Sequence, residues 1–289
     1  MLKVCLMCKN ITIEGNSGCS LEIHNNKIFK YTQDIKYVER LKLQCAKQNF
    51  FFDLLISDVH IKIPKVLNEY VYSESGYGFS MQYCRANNFI TFFENFDMRN
   101  ILSKIEILLE FIDKNVNTCQ MIYIDKKIVK NKLESLYQIF FNSDKLRQYA
   151  FHITDILHNQ LYLFDKYQFP IGYCHGDLTF SNILFQNQHI ILIDFLDNFI
   201  ETPLQDIVKL RQDTRHKWSL KMARANYDEI KIKIILNYLD DYIDKYFLKY
   251  EFYQYFYNIF QKINLLRILP YAKNNDVICY IISEINTLK

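Results

Sequence analysis

Apolar positions near the start of the chain fall in short β-type runs broken by polar turn residues: "KVCLMC" (3–8), "CSLEIH" (19–24) and "KIFKYT" (27–32). Runs of this kind predict β-strands, and the residues between them, Gly15-Asn16-Ser17-Gly18 and Asn25-Asn26, predict tight turns. At Asp34 the period changes. Ile35, Val38, Leu41 and Cys45 recur every three or four residues behind an aspartate able to cap a first turn, so a helix is predicted to about Asn49. Strand composition returns over "IKIPKVLNEYVYSESGYGFSMQYC" (61–84), with Ser75 and Gly76 near a hairpin turn.

Beyond Asn87 the apolar spacing is mostly helical, over 97–115, 130–142, 144–166, 203–213, 226–248, 251–267 and 274–286. One β-like island, 171–195, interrupts the helices. The pattern predicts an α+β protein with a small β-rich lobe (1–83), a connector near 82–88 and a larger helical lobe (84–289) carrying one hairpin. The aromatic run "YEFYQYFYNIFQKI" reads as the packed face of a helix rather than as an aromatic cage for a quaternary ammonium.

Composition narrows the function classes. Of the 289 residues half are apolar and 16% aromatic, enough for a sizeable core. A formal net charge of +3, with the basic residues scattered, leaves no electrostatic footprint for nucleic acid. No apolar run approaches the ~20 residues of a membrane helix, and the first residues lack the form of a signal peptide, so a cytoplasmic protein is expected. Cys5 and Cys8 form a CxxC, but no second pair completes a tetrahedral zinc set. The remaining cysteines are dispersed, which predicts reduced, mostly buried thiols.

The chemistry concentrates in the island. In "YCHGDLTFSNILF" (173–185), Asn182 follows Asp177 by five residues, and "HIILIDF" delivers Asp194 twelve residues after Asn182. The segments "NILF" and "HIILID", joined through Gln186-Asn187-Gln188, predict a hairpin that brings Asn182 and Asp194 to one end, beside the loop bearing Asp177. An asparagine and an aspartate as hard oxygen ligands, next to a further carboxylate, suit magnesium-dependent phosphoryl transfer. Gly176 allows a sharp backbone turn that keeps the aspartate exposed.

His175-Gly176-Asp177, then Asn182, then Asp194-Phe195, resembles the aminoglycoside phosphotransferase and choline kinase superfamily of kinase-like folds. The motif and its surroundings also look like phosphotransferases of bacterial capsule and surface-polysaccharide gene clusters. The resemblance implies a bilobal protein-kinase-like fold in which Asp177 is the catalytic base, His175 braces its loop, and Asn182 and Asp194 hold Mg²⁺. It further implies a glycine-containing turn over the nucleotide phosphates, here Gly15, Ser17 and Gly18, and a phosphate-binding lysine on a following strand, Lys30, with Lys27, nearer the turn and less flanked by apolar residues, as the alternative. That lysine is normally paired with a glutamate on the next helix. Glu39 is the favoured partner, with the uncharged but better spaced Gln44 as the alternative.

Met81, Tyr83 and Cys84 fall where backbone groups would meet the adenine edge. Pro203 and Asp206 form the P-x-x-D arrangement from which Asp206 would brace the catalytic loop. The run Arg211, Asp213, Arg215, His216, Trp218 is the candidate acceptor-binding segment. Asp240, Asp241 and Asp244 read as a surface stripe, or else as an amine-binding set.

The reading is a kinase that uses ATP, or GTP, with Mg²⁺ to phosphorylate a hydroxyl of a sugar, polyol or amino alcohol, with no nucleic-acid or membrane-inserted partner. The alternatives are a choline, ethanolamine or aminoglycoside kinase, and a catalytically silent nucleotide-binding scaffold.

Overall fold

The computed structural model describes residues 11–14, 18–72, 76–223, 226–272 and 274–288. The expected strand at 3–8, Cys5, Cys8, Gly15, Ser17 and Ser75 lie outside the described residues. In chain order the elements are β1 (Ile11–Glu14), β2 (Ser20–His24), β3 (Lys27–Thr32), α1 (Ile35–Leu54), β4 (Ile61–Lys62), β5 (Val66–Val71) and β6 (Tyr77–Gln82). Then follow α2 (Phe89–Asn95), α3 (Met98–Thr118), β7 (Gln120–Ile122), α4 (Lys127–Phe141), α5 (Phe151–Asn159), α6 (Leu163–Lys166), β8 (Phe169–Ile171), β9 (Ile183–Phe185) and β10 (Ile190–Leu192). The chain closes with α7 (Pro203–Thr214), α8 (Trp218–Met222), α9 (Glu229–Phe247), α10 (Glu251–Ile268) and α11 (Asn275–Asn286). These elements form two compact units.

The first unit combines the chain up to Phe89 with Asn182–Asp197. Its main sheet has the order β1-β2-β3-β6-β5, antiparallel throughout. Asn25 and Asn26 both adopt positive φ, 49° and 59°, which lets the β2–β3 hairpin reverse in two residues. Asp34 caps α1 by accepting from the Lys36 N–H at 3.0 Å. Leu41 and Cys45 of α1 pack with Tyr77, Phe79 and Met81 of β6 into the core. Gly78 is required on β6, because a Cβ there would come within 2.7 Å of the Tyr31 Cβ and 2.9 Å of the Lys30 carbonyl oxygen.

A second sheet in this unit, β4-β10-β9, holds the predicted hairpin: β9 and β10 pair antiparallel with Ile183 opposite Leu192. Its parallel partner β4 comes from more than a hundred residues earlier, a pairing that local pattern cannot reveal.

The second unit comprises Ile90–Ser181 and Asn198–Lys289. Its centre is α7, whose Leu204, Ile207, Val208 and Leu210 are fully buried and which packs on α3, α9 and α10. The aromatic run is core, as expected: Phe256 of α10 stacks on Phe164 at 4.8 Å, and Phe260 on Phe169 at 5.1 Å. The helix expected over 144–166 is instead a 3₁₀ turn followed by α5 and α6, and the short β7–β8 pair was not anticipated. Among the described cysteines Cys19, Cys45 and Cys174 are buried, Cys279 is exposed, and no disulfide forms. No helix among the described residues is long and apolar enough to cross a membrane.

Candidate active site

In the first unit, Lys30 sits mid-strand on β3 with its side chain almost sealed from solvent, at 3% exposure. An ammonium in such a place loses several kcal/mol of hydration unless acceptors replace the water. Two do: Lys30 Nζ donates to Gln44 Oε1 at 2.8 Å and to Asp194 Oδ1 at 2.8 Å. Burial, the largest single influence, works to lower the Lys30 pKa, but the Asp194 carboxylate together with Cys19 and Tyr37 holds the ammonium above the ordinary lysine value.

Asp194 follows β10 in a left-handed conformation, φ 61°, which an aspartate tolerates better than most residues. It is more than a third exposed, with one oxygen on Lys30. At the same end of the hairpin the Ile193 N–H donates to the Asn182 carbonyl oxygen at 3.1 Å, so Asn182 and Asp194 are tied through adjacent backbone, as the sequence predicted.

The second unit carries the loop that leads into Asn182, and here the helix α7 sets the geometry. Asp206, fully buried, accepts from the His175 N–H at 2.7 Å and the Gly176 N–H at 2.8 Å. Lys209 Nζ lies 3.1 Å from Asp177 Oδ1. Asp213 accepts from the Phe180 N–H at 2.6 Å. Positions 206, 209 and 213 are i, i+3 and i+7, so a single face of α7 contacts the loop at three successive points.

Further ties hold the same loop. Gly176 adopts φ 91°, a backbone state that L side chains rarely adopt. Its carbonyl oxygen accepts from Asn198 Nδ2 at 3.0 Å, and the Asp177 N–H donates to His175 Nδ1 at 3.2 Å, so the histidine ring closes the turn from within. The backbone of 175–180 is thus fixed from several directions, while the Asp177 side chain stays a quarter exposed.

Several expected site residues stand elsewhere. Glu39 does not meet Lys30: it points to solvent and pairs with Lys42 at 2.7 Å, because it lies across α1 from the buried Leu41, Gln44, Cys45 and Gln48. Gln44 takes the place, steadied through its Nε2, which donates to the Tyr37 hydroxyl at 3.2 Å. The Met81 side chain is in the core, and the Tyr83 N–H, expected near an adenine edge, donates to the Asn26 carbonyl oxygen at 3.2 Å. Gly18, with φ 34°, offers its carbonyl oxygen to the Thr32 hydroxyl at 2.7 Å.

Arg211 and Asp213 are not surface residues awaiting an acceptor. Arg211 is 2% exposed and makes a bidentate pair with Asp240, at 2.9 and 2.7 Å, while Nη1 meets Asp244 and the Tyr253 hydroxyl. Asp240 and Asp244 are therefore its counter-charges and not a surface stripe; Asp241 is exposed. Asp213, besides Phe180, accepts from the Ser219 N–H at 2.8 Å and hydroxyl at 2.9 Å. Burial pushes its carboxyl up to about 6, against these hydrogen bonds, which favour the ionised form. Trp218 opens α8 and is half-buried.

Sequence reasoning missed Lys209. Its position three residues after Asp206 was a usable signal, since that spacing places both on one helix face.

Comparison with known proteins matches residues 136–244 to the model of the Phosphotransferase enzyme family (APH). Over the whole chain, solved structures of aminoglycoside phosphotransferases superpose. One is a thermostable mutant of aminoglycoside phosphotransferase APH(4)-Ia in a ternary complex with ADP and hygromycin B, at TM-score 0.67 and 10% identity, covering 97% of this chain and 93% of that one. The chain has the kinase-like fold. The streptomycin–ATP complex of APH(2")-IIa aligns at TM-score 0.53 and 14% identity over 96% of this chain and 91% of that chain. The GDP complex of aminoglycoside 2'-phosphotransferase-IIIa aligns at 0.57 and 14%, again over 96% and 91%. No curated protein sequence matches. The α+β architecture is thus the kinase-like one, and the segment that matches the phosphotransferase family model spans α7 and the loop braced on it.

Proposed function

We propose that this protein is a small-molecule kinase that transfers the γ-phosphoryl group of a nucleoside triphosphate to an acceptor hydroxyl. The observation that carries the reading is the loop 175–180, its backbone fixed on α7 and the Asp177 carboxylate left partly open to solvent. In this role Asp177 accepts the hydroxyl proton as the acceptor oxygen bonds to phosphorus and the bond to the nucleoside diphosphate breaks. Lys30, held by Gln44 and Asp194, supplies fixed positive charge for the phosphates.

Asn182 and Asp194 would hold Mg²⁺. The donor set fits, because Mg²⁺ typically takes only one or two protein oxygens and fills its octahedron from substrate phosphates and water. When bound, the ion supplies charge neutralisation across the phosphates. The neighbours' ADP, ATP and GDP complexes support a purine nucleotide as donor. Gly18 and the segment Met81–Cys84 remain the candidates for its phosphate and base ends; with the Tyr83 N–H spent on Asn26, base contacts fall to the other backbone groups of that segment.

For the acceptor, a neutral sugar or polyol is favoured over a cation. Of the three acids that an amine-bearing acceptor would use on α9, Asp240 and Asp244 are engaged by Arg211, leaving only Asp241 outside that pairing. The motif's resemblance to enzymes of surface-polysaccharide gene clusters puts saccharides and polyols first among acceptors to test. An aminoglycoside kinase is the second reading, favoured by the neighbours' complexes with hygromycin B, streptomycin and gentamicin. Mg²⁺-dependent ADP release over sugars, polyols, amino alcohols and aminoglycosides, with products read by mass and Asp177→Asn as blank, tests both. A phosphorylated product formed only by the wild type is expected; equal rates in wild type and Asp177→Asn would sink the kinase reading.

A further inference from the structure

Lys209 has no part in the reading above, yet it is a cation in direct contact with the residue on which that reading turns. Its side chain is 14% exposed, on the α7 face that braces the loop, with Nζ 3.1 Å from Asp177 Oδ1 and 3.3 Å from Gln212 Oε1. A lysine with its long stem normally carries its ammonium out to water. This one is turned inward.

The flanking members of the same face, Asp206 and Asp213, accept from backbone N–H groups of the loop; Lys209 meets a side chain of the loop, and that side chain is the proposed base. Among the described residues, charged and titratable groups facing Asp177 include Lys209 and Asp213 from α7 and His175 from its own turn. Asp213 opposes a second negative charge there and Lys209 favours it.

We propose that Lys209 is a positioning residue for phosphoryl transfer, holding the Asp177 carboxylate ionised and oriented toward the acceptor hydroxyl. The inference rests on the kinase reading. It also carries a charge consequence. When the hydroxyl proton passes to Asp177, that carboxylate becomes neutral while Lys209 keeps its charge. That pairing lowers the basicity of Asp177, so the role assigned to Lys209 is to keep the carboxylate ionised and aimed, not to stabilise charge in the transition state.

The test uses the full chain with Lys209→Met, which keeps length and removes charge, and Lys209→Arg, which keeps charge. The first readout is independent of turnover: titration of the Asp177 carboxyl by ¹³C NMR, assigned by its loss in Asp177→Asn. An opposite charge at this range moves a carboxyl by roughly one pH unit or more. Lys209→Met should raise the midpoint by about that amount and Lys209→Arg should restore it. The second readout is Mg²⁺-dependent ADP release. Lys209→Met should lower kcat by roughly tenfold or more with KM for ATP within about twofold, and Lys209→Arg should recover most of it. An unchanged Asp177 midpoint, or a loss confined to KM, overturns the proposal while leaving the kinase reading intact. A shifted midpoint with equal ADP release from wild type and Asp177→Asn overturns the kinase reading, and with it any role of Lys209 in transfer.

Discussion

Each unit holds a deeply buried cation against aspartate, Arg211 in the second and Lys30 in the first, and the two arrangements differ in how many groups answer the charge. Arg211 faces two carboxylates, a tyrosine hydroxyl and the ring of Tyr257, 4.5 Å from its guanidinium carbon. Lys30 faces one carboxylate and one amide. Exposure of the counter-charge does not separate the two, since the Asp244 side chain is 40% exposed and that of Asp194 37%. The number of partners does: four side chains surround Arg211, whereas Lys30 has one amide and one carboxylate, the latter on the proposed metal ligand Asp194. Burial alone does not separate structure from function here, since both cations are nearly inaccessible; the partner set does.

Substitution by methionine, which keeps the stem and removes the charge, should split the two roles. Lys30→Met is expected to lower phosphoryl transfer by roughly a hundredfold or more, because fixed charge at the phosphates is lost, with only a small change in thermal midpoint. Arg211→Met should do the reverse. It strands Asp240 and Asp244 and should cost about 3–5 kcal/mol of folding stability by urea titration, while the remaining folded protein keeps a near-normal kcat. If both variants lose stability equally, the distinction fails.

A smaller effect tests the loop brace. The Asp213 carboxyl is raised from its ordinary 3.8 to about 6 in the folded protein. A raised folded value means that its contribution to stability is fully present below pH ~4 and is lost as the pH climbs through about 6, on the order of 3 kcal/mol. Thermal midpoints of wild type and Asp213→Asn from pH 4 to 7 should therefore differ in slope, the wild type falling more. Parallel curves would remove the assignment.

The smallest pair concerns the lysine's partner. Gln44→Leu should lower kcat/KM about tenfold, as one buried donor of Lys30 loses its acceptor. Glu39→Ala, on the exposed side of α1, should leave activity and stability within about 0.5 kcal/mol of wild type.

The sequence was most legible where a signal is local. The asparagine pair marks the β2–β3 turn, Asp34 marks the start of α1, and the apolar runs around Gln186-Asn187-Gln188 mark the hairpin that ties Asn182 to the residue before Asp194. Glu39 was preferred over Gln44 on charge, yet the helical phase already favoured the glutamine: Gln44 lies three residues from Leu41 and beside Cys45, on the buried face. The β4–β10 pairing, the breaks between α5 and α6, and the union of Arg211 with Asp240 and Asp244 depend on contacts distant in sequence or on packing, and no proline or glycine marks those breaks. Lys209 was overlooked for the same reason, since its importance depends on what the α7 face meets.

That face behaves as a ruler. Three contacts at 206, 209 and 213 read three points of the loop, and each added residue turns the later ones by about 100° around the helix axis. A single amino acid inserted after Asp206 would swing Lys209 and Asp213 away together, whereas any one replacement removes only one grip. Over this stretch the length of the helix is a harder constraint on the molecule than the identity of most of its side chains.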